Sequence, residues 1–340
     1  MFSKNFIFTL LLSLFVLGAC NSGGSDDVPQ QSQPAETESE ATASIITTTF
    51  VLEDFIQTIG GENVEVTNLV PSGGDAHSFE PTAQQMIEIA EADAFVYNGA
   101  GFEGFVESVL NSLQGEGILT LEATTGISLR QGNEDEHGDE TADEHEDEHG
   151  EEATDQEHVE EEHAHEDADP HAWLDPVFAL QYAENIYELL LELYPEYENE
   201  FTSNYTDLKD ALETLHNEFE EMVSTADRDQ FIVSHAGYGY WEDRYGLEQI
   251  AISGLSPTNE PSQRQVQEVI ELGESLYMDH LYVEQNFTPQ VAEMIANEIG
   301  AEVLYLHNLE VRTDEDIETG ANYLSLMRGN IESLKQGLNE

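Results

Sequence analysis

A single cysteine, Cys20, stands among 340 residues, so no disulfide can form within one chain and stability must come from burial. Basic residues are nearly as scarce: 9 Lys and Arg face 72 Asp and Glu, a formal charge of −63. Such a surface repels phosphate backbones and anionic headgroups, which excludes nucleic acid and acidic lipid as direct partners. Long hydrophobic runs are missing too, since the longest, from Phe6 to Leu17, is too short to span a bilayer comfortably. The acidity is spread over the whole surface. It suits salty or alkaline surroundings, where self-repulsion is screened or lysine partly neutralised.

The Phe6 to Leu17 run follows Lys4 and stops at Leu17-Gly18-Ala19-Cys20, which marks residues 1–20 as a secretory signal. That ending resembles a bacterial lipobox, and the resemblance implies lipidation of Cys20 and anchoring to the outer face of the cell membrane. Residues 21–44 hold Ser, Gly, Pro, Gln and Glu with little to bury, the composition of a disordered tether.

Folded sequence begins near Ile45. The run from Ser44 to Leu52 predicts a buried strand and Glu53 to Ile59 a helix. Strands at 64–70, 94–97 and 118–121 then alternate with helices at 82–92 and 102–113. A second alternation places strands at 230–233, 249–252, 280–283 and 302–306, before a terminal helix from Asp314 to Leu338. Alternation of this kind implies parallel βαβ units. The expected fold is α/β, with two similar lobes, each a mainly parallel sheet flanked by helices: 45–174 and 228–340. Residues 175–227 form a helical link, interrupted at Pro195.

Six of the 12 histidines, His137, His145, His149, His158, His163 and His165, lie in an acidic stretch at 131–168. It is nearly devoid of apolar side chains, so it predicts a mobile loop with weak, exchangeable metal sites: a zinc-gathering antenna or sensor, or else a plain acidic linker. His145-Glu146-Asp147-Glu148-His149 satisfies the H-E-x-x-H pattern of zinc proteases, but that chemistry needs a buried helix and this segment has no face to bury. His77 and His235 follow predicted strands, where loops at the carboxyl ends of an open α/β sheet line a crevice. His171 sits in Asp169-Pro-His-Ala-Trp-Leu-Asp-Pro176, whose prolines stiffen the start of the helical link.

Four segments, Gly74-Asp-Ala-His-Ser-Phe-Glu80, Asp169 to Pro176, Ser234-His235-Ala236 and Gly254-Leu-Ser-Pro-Thr-Asn-Glu-Pro-Ser262, resemble the zinc and manganese solute-binding lipoproteins of ABC importers. The likeness runs from Ile45 onward. It implies lobes joined by a long rigid helix, one divalent metal in the cleft, closure over it, and delivery to a membrane permease by a monomeric receptor that is not an enzyme. Carried over by motif, the ligands are His77, His171, His235 and a fourth, either Glu310 or His307, with Glu310 favoured. Glu80 and Glu260 read as acceptors lining the cleft. Three imidazoles and a carboxylate suit Zn2+, whereas manganese prefers more oxygen and higher coordination. A manganese receptor and a metal-dependent adhesin of the same fold are the alternatives.

Overall fold

The structure, a computed structural model, describes residues 43–132, 168–256, 261–285 and 289–339. Cys20, the six histidines of the acidic stretch, the HEDEH segment and Glu260 lie outside the described residues.

The first lobe runs β1 (Ala43–Thr47), α1 (Phe50–Gly60), β2 (Val64–Asn68), α2 (Ala83–Glu91), β3 (Ala94–Tyr97), α3 (Val106–Leu113) and β4 (Leu119–Glu122). Two helices follow, α4 (Pro176–Leu193) and α5 (Glu198–Ser224). The second lobe is β5 (Gln230–His235), α6 (Gly239–Tyr245), β6 (Glu248–Ser253), α7 (Gln263–Ser275), β7 (His280–Val283), α8 (Pro289–Ile299), β8 (Glu302–Tyr305), α9 (Asp314–Thr319) and α10 (Tyr323–Gly337). Each lobe holds a four-stranded sheet, ordered β2-β1-β3-β4 and β6-β5-β7-β8, and every strand pair is parallel. The α/β class and the two similar lobes are as the sequence implied.

Two boundaries differ from expectation. The first strand ends at Thr47, and Phe50, Val51 and Leu52 belong to α1. An unbroken apolar run carries no period to separate strand from helix. The break comes from two hydroxyls and an extended residue: Thr47 donates to the Val96 carbonyl at 2.9 Å, Thr48 donates to Glu103 at 2.5 Å, and Thr49, extended at φ −131°, ψ 158°, stands at the N-cap position with no side-chain cap bond. The terminal helix is likewise two helices. Gly320 closes α9 in the left-handed conformation (φ 67°), and Asn322 opens α10 through a capping box with Ser325.

Helix α4 starts where Asp175 accepts the Val177 N–H at 2.9 Å with Pro176 at the first position. At Pro195 a single 3-10 turn ends it and α5 begins. Helix α5 is 27 residues long, about 40 Å at 1.5 Å per residue. Its buried side chains Leu208, Leu212, Leu215, Phe219 and Met222 repeat at intervals of three and four, and it packs on α4, α1 and α10, hence on both lobes.

One hydrophobic core runs from Phe55 and Val96 through Trp173, Leu190 and Leu212 to Trp241, Tyr282 and Leu334. Hydrogen bonds stitch the same seam: Trp173 Nε1–H donates to the Asn308 carbonyl at 2.8 Å, Trp241 Nε1–H to that of Leu174 at 2.7 Å, and Tyr323 O–H to that of Trp173 at 2.7 Å. Three arginines add ion pairs between these segments, Arg130 with Glu242 and Asp243 and Arg312 with Glu53 across the lobes, and Arg244 with Asp175 at the start of α4. In so acidic a chain, placing three positive charges here offsets some of the repulsion where negative segments must stay together.

Candidate metal centre

Four side chains converge at the seam: His77 from the turn after β2, His171 before α4, His235 at the end of β5, and Glu310 after β8. One donor atom from each lies within 4.8 Å of all the others. Glu310 Oε1 is 3.3 Å from His77 Nε2, 3.7 Å from His171 Nε2 and 4.0 Å from His235 Nε2, and the latter two nitrogens are 3.3 Å apart. A tetrahedral ion with bonds of about 2.0–2.1 Å sets its ligands about 3.3 Å apart, which two of these four distances already match and the other two approach on contraction by less than 1 Å. His171, His235 and Glu310 are fully buried, while His77 keeps a side-chain exposure of 10%.

Each donor is aimed by its surroundings. Asp169 Oδ1 accepts the His171 backbone N–H at 3.0 Å and the ring Nδ1–H at 2.8 Å, so Nε2 faces the cluster. Glu284 does the same for His235 Nδ1. A carboxylate behind a ligating imidazole fixes its tautomer and strengthens it as a donor. Gly237 keeps His235 accessible, since a Cβ there would lie 2.6 Å from Nε2. Glu310 follows Leu309, which is held at φ 60°, a strained conformation for a leucine. Its N–H donates to Asn308 Oδ1 at 3.2 Å, and its carbonyl accepts the Phe50 N–H of α1 at 2.7 Å.

The electrostatics are those of a preformed cation site. Burial alone would lower the His171 pKa, but hydrogen bonds and charge from Asp169 and Glu310 overturn this and push it up to about 9. Burial works to raise Glu310, yet hydrogen bonds to His171 and His77 hold it well below the usual carboxylate range. Glu310 Oε2 is buried without a hydrogen-bond partner, a costly arrangement unless a cation takes up the lone pairs.

His307 does not join the cluster. Its Nδ1 accepts the Leu309 N–H at 2.9 Å and its Nε2 pairs with Asp316 at 3.2 Å, so both ring nitrogens are engaged. Glu80, expected to line the cleft, is exposed. Sequence reasoning quoted Asp169 without a role and passed over Glu284, whose only signal is an acidic residue directly after β7.

Residues 45–337 match the family described as ZnuA: Zinc-uptake complex component A periplasmic. The chain belongs to this family. It is 33% identical over 301 residues to the zinc-binding lipoprotein AdcA of Streptococcus pneumoniae, covering 88% of this chain and 57% of AdcA. The chain thus spans little more than half the length of that relative. With the high-affinity zinc uptake system protein ZnuA of Bacillus subtilis it shares 32% identity over 295 residues, 86% of this chain and 87% of the relative. Among solved structures, the Zn(II)-bound ZnuA-like domain of S. pneumoniae AdcA superposes with a TM-score of 0.70 at 30% identity, over 88% of this chain and 100% of that one. A mutant of the laminin-binding adhesin Lmb from Streptococcus agalactiae gives 0.72 at 27%, over 87% and 100%. Among the described residues of this family member, no helix is long and apolar enough to cross a membrane.

Proposed function

We propose that this chain is the extracytoplasmic receptor of a zinc ABC importer, which captures Zn2+ as cargo between its lobes and delivers it to a membrane permease. The observation that carries the reading is the convergence of His77 and His171 from one lobe with His235 and Glu310 from the other. Three imidazole nitrogens and one carboxylate oxygen form the borderline donor set and the coordination number that Zn2+ favours, and one carboxylate is too few for manganese. The names of the AdcA and ZnuA relatives support the same cargo. Glu310 supplies the fourth donor, and His307 supports the loop behind it.

Capture and release require no covalent step. Asp169 and Glu284 hold two imidazoles aimed, and the buried seam excludes water that would compete for the ion. Cys20 tethers the receptor as a lipid-anchored monomer, and the histidines of 131–168 gather zinc for it.

Titration of the metal-free protein against a zinc chelator tests the proposal. The expected result is one tight Zn2+ per chain after removal of residues 134–167, lost in the His235→Ala and Glu310→Ala variants and not displaced by excess Mn2+. Tight binding that survives both substitutions would overturn it. The resemblance to the Lmb adhesin favours one second reading, tested by binding to immobilised laminin with and without zinc.

A further inference from the structure

Two of the three clustered imidazoles have a carboxylate behind them and the third does not. His171 is backed by Asp169 and His235 by Glu284, whereas among the described residues nothing hydrogen-bonds to His77 Nδ1. What touches the His77 ring is Phe102, edge-on, with centroids 4.5 Å apart and planes at 63°. The same phenyl ring meets His171 at 6.1 Å and Trp173 at 5.1 Å.

The loop that presents Phe102 is built at some cost. Gly99, Ala100 and Gly101 all have positive φ, at 87°, 56° and 72°, and Ala100 pays a steric penalty that glycine would not. Buried Glu103 holds the turn, accepting the N–H groups of Asn98 at 2.7 Å and Gly99 at 3.2 Å besides the Thr48 hydroxyl. Glu122 accepts the Ala100 N–H at 3.3 Å. The Asn98 side chain donates to the Pro170 carbonyl at 3.1 Å and accepts the Tyr182 hydroxyl at 2.7 Å, tying the loop to the residue before His171. Strain that persists because its surroundings over-determine it clusters where geometry serves function. Here the strained turn delivers one ring to one imidazole.

We propose that Phe102 is the positioning residue for His77, doing by ring packing what Asp169 and Glu284 do by hydrogen bonds for the other two imidazoles. This rests on the zinc-receptor reading of the site. An imidazole steered by packing keeps its ligand nitrogen aimed yet has no carboxylate behind its Nδ1 to hold it when it swings away from Glu310. His77, also the only member of the cluster that is not fully buried, is therefore the ligand through which the ion enters and leaves.

The test is a double-mutant cycle on the full chain, with Phe102→Ala and His77→Ala alone and combined. Zn2+ affinity is read by chelator competition and ligand geometry by the visible spectrum of bound Co2+. Phe102→Ala should weaken Zn2+ by about 10–100-fold, the range for loss of a group that orients a ligand, and reduce the intensity of the Co2+ bands. In the His77→Ala background it should cost nothing further. Phe102→Leu, which fills the space without a ring edge, should give a smaller loss and serves if the alanine variant fails to fold. Additive losses, or an unchanged spectrum and affinity in both Phe102 variants, would overturn the assignment. Absence of a tight Zn2+ site in the chain lacking residues 134–167 would instead bring down the receptor reading, and this assignment with it.

Discussion

Zinc binding should release a proton whose source is His171. In the metal-free protein this ring has its pKa pushed from 6.5 up to about 9, because the carboxylates of Asp169 and Glu310 outweigh its burial. The proton on Nδ1 stays with Asp169, and the one on Nε2 must leave before that nitrogen can bind a cation. Apparent affinity should therefore rise tenfold per pH unit, about 1.4 kcal/mol, from near neutrality to about pH 9, and then level off. The metal-free fold should show the opposite trend. A folded pKa raised above the unfolded value gives stability that is complete below pH 6.5 and lost as pH climbs toward 9, roughly 3 kcal/mol over that window. Calorimetric titration at pH 7.5 in buffers of different ionisation enthalpy reads the protons released per Zn2+. The expected count is at least one, and Asp169→Asn should lower it while weakening binding. A count near zero, or an affinity unchanged between pH 6.5 and 8.5, would refute the reasoning.

Two further substitutions probe the frame and the support of the site. Arg244→Gln leaves Asp175, which is 1% exposed and caps α4, without its cation; thermal unfolding should show a loss of roughly 2 kcal/mol that persists at high salt. Leu212→Ala opens a cavity at a fully buried position of α5 and should cost about 2–5 kcal/mol in urea unfolding, in a single transition because both lobes share the core.

Much of this was legible in the sequence, for definite reasons. Parallel strands buried on both faces write near-continuous apolar runs, and their alternation with helical periods gave both sheets. Chemistry at the carboxyl ends of such strands pointed to His77 and His235, and the prolines around His171 marked a stiff segment. Harder to see was anything decided by a tertiary partner. Whether Glu310 or His307 faces the cluster depends on Leu309 at φ 60° and on Asp316, which draws His307 away. Glu284 is one acid among 72 until the fold sets it behind His235. Phe102 read as part of a helix, yet it lies ahead of α3 in the strained turn. Where α1 begins was hidden because Thr47 and Thr48 bond to groups 49 and 55 residues away.

How zinc gets out follows from how the lobes are joined. The resemblance implied lobes that close over the ion, but here the two lobes share one core, and the ligands themselves are pinned across the seam. The Glu310 carbonyl accepts the Phe50 N–H of α1 in the opposite lobe, and the carbonyl of Asp169, which aims His171, accepts the Tyr240 hydroxyl of α6 at 2.6 Å. Swinging the lobes apart would break these bonds along with the core. Moving the turn at 71–79 spares most of that core and breaks three bonds across the seam, Gly73 N–H to the Arg312 carbonyl at 3.0 Å, Ser72 to Asp314 at 2.9 Å and His77 to Glu310 at 3.3 Å. Release by local opening of that turn predicts a localised pattern of amide hydrogen exchange. Adding Zn2+ should slow exchange strongly at 71–79 and around 98–103 and leave α4 and α5 unchanged. Zinc-dependent protection spread along α5 and across both sheets would mean that the lobes do hinge, and that the shared core is a property of the closed form only.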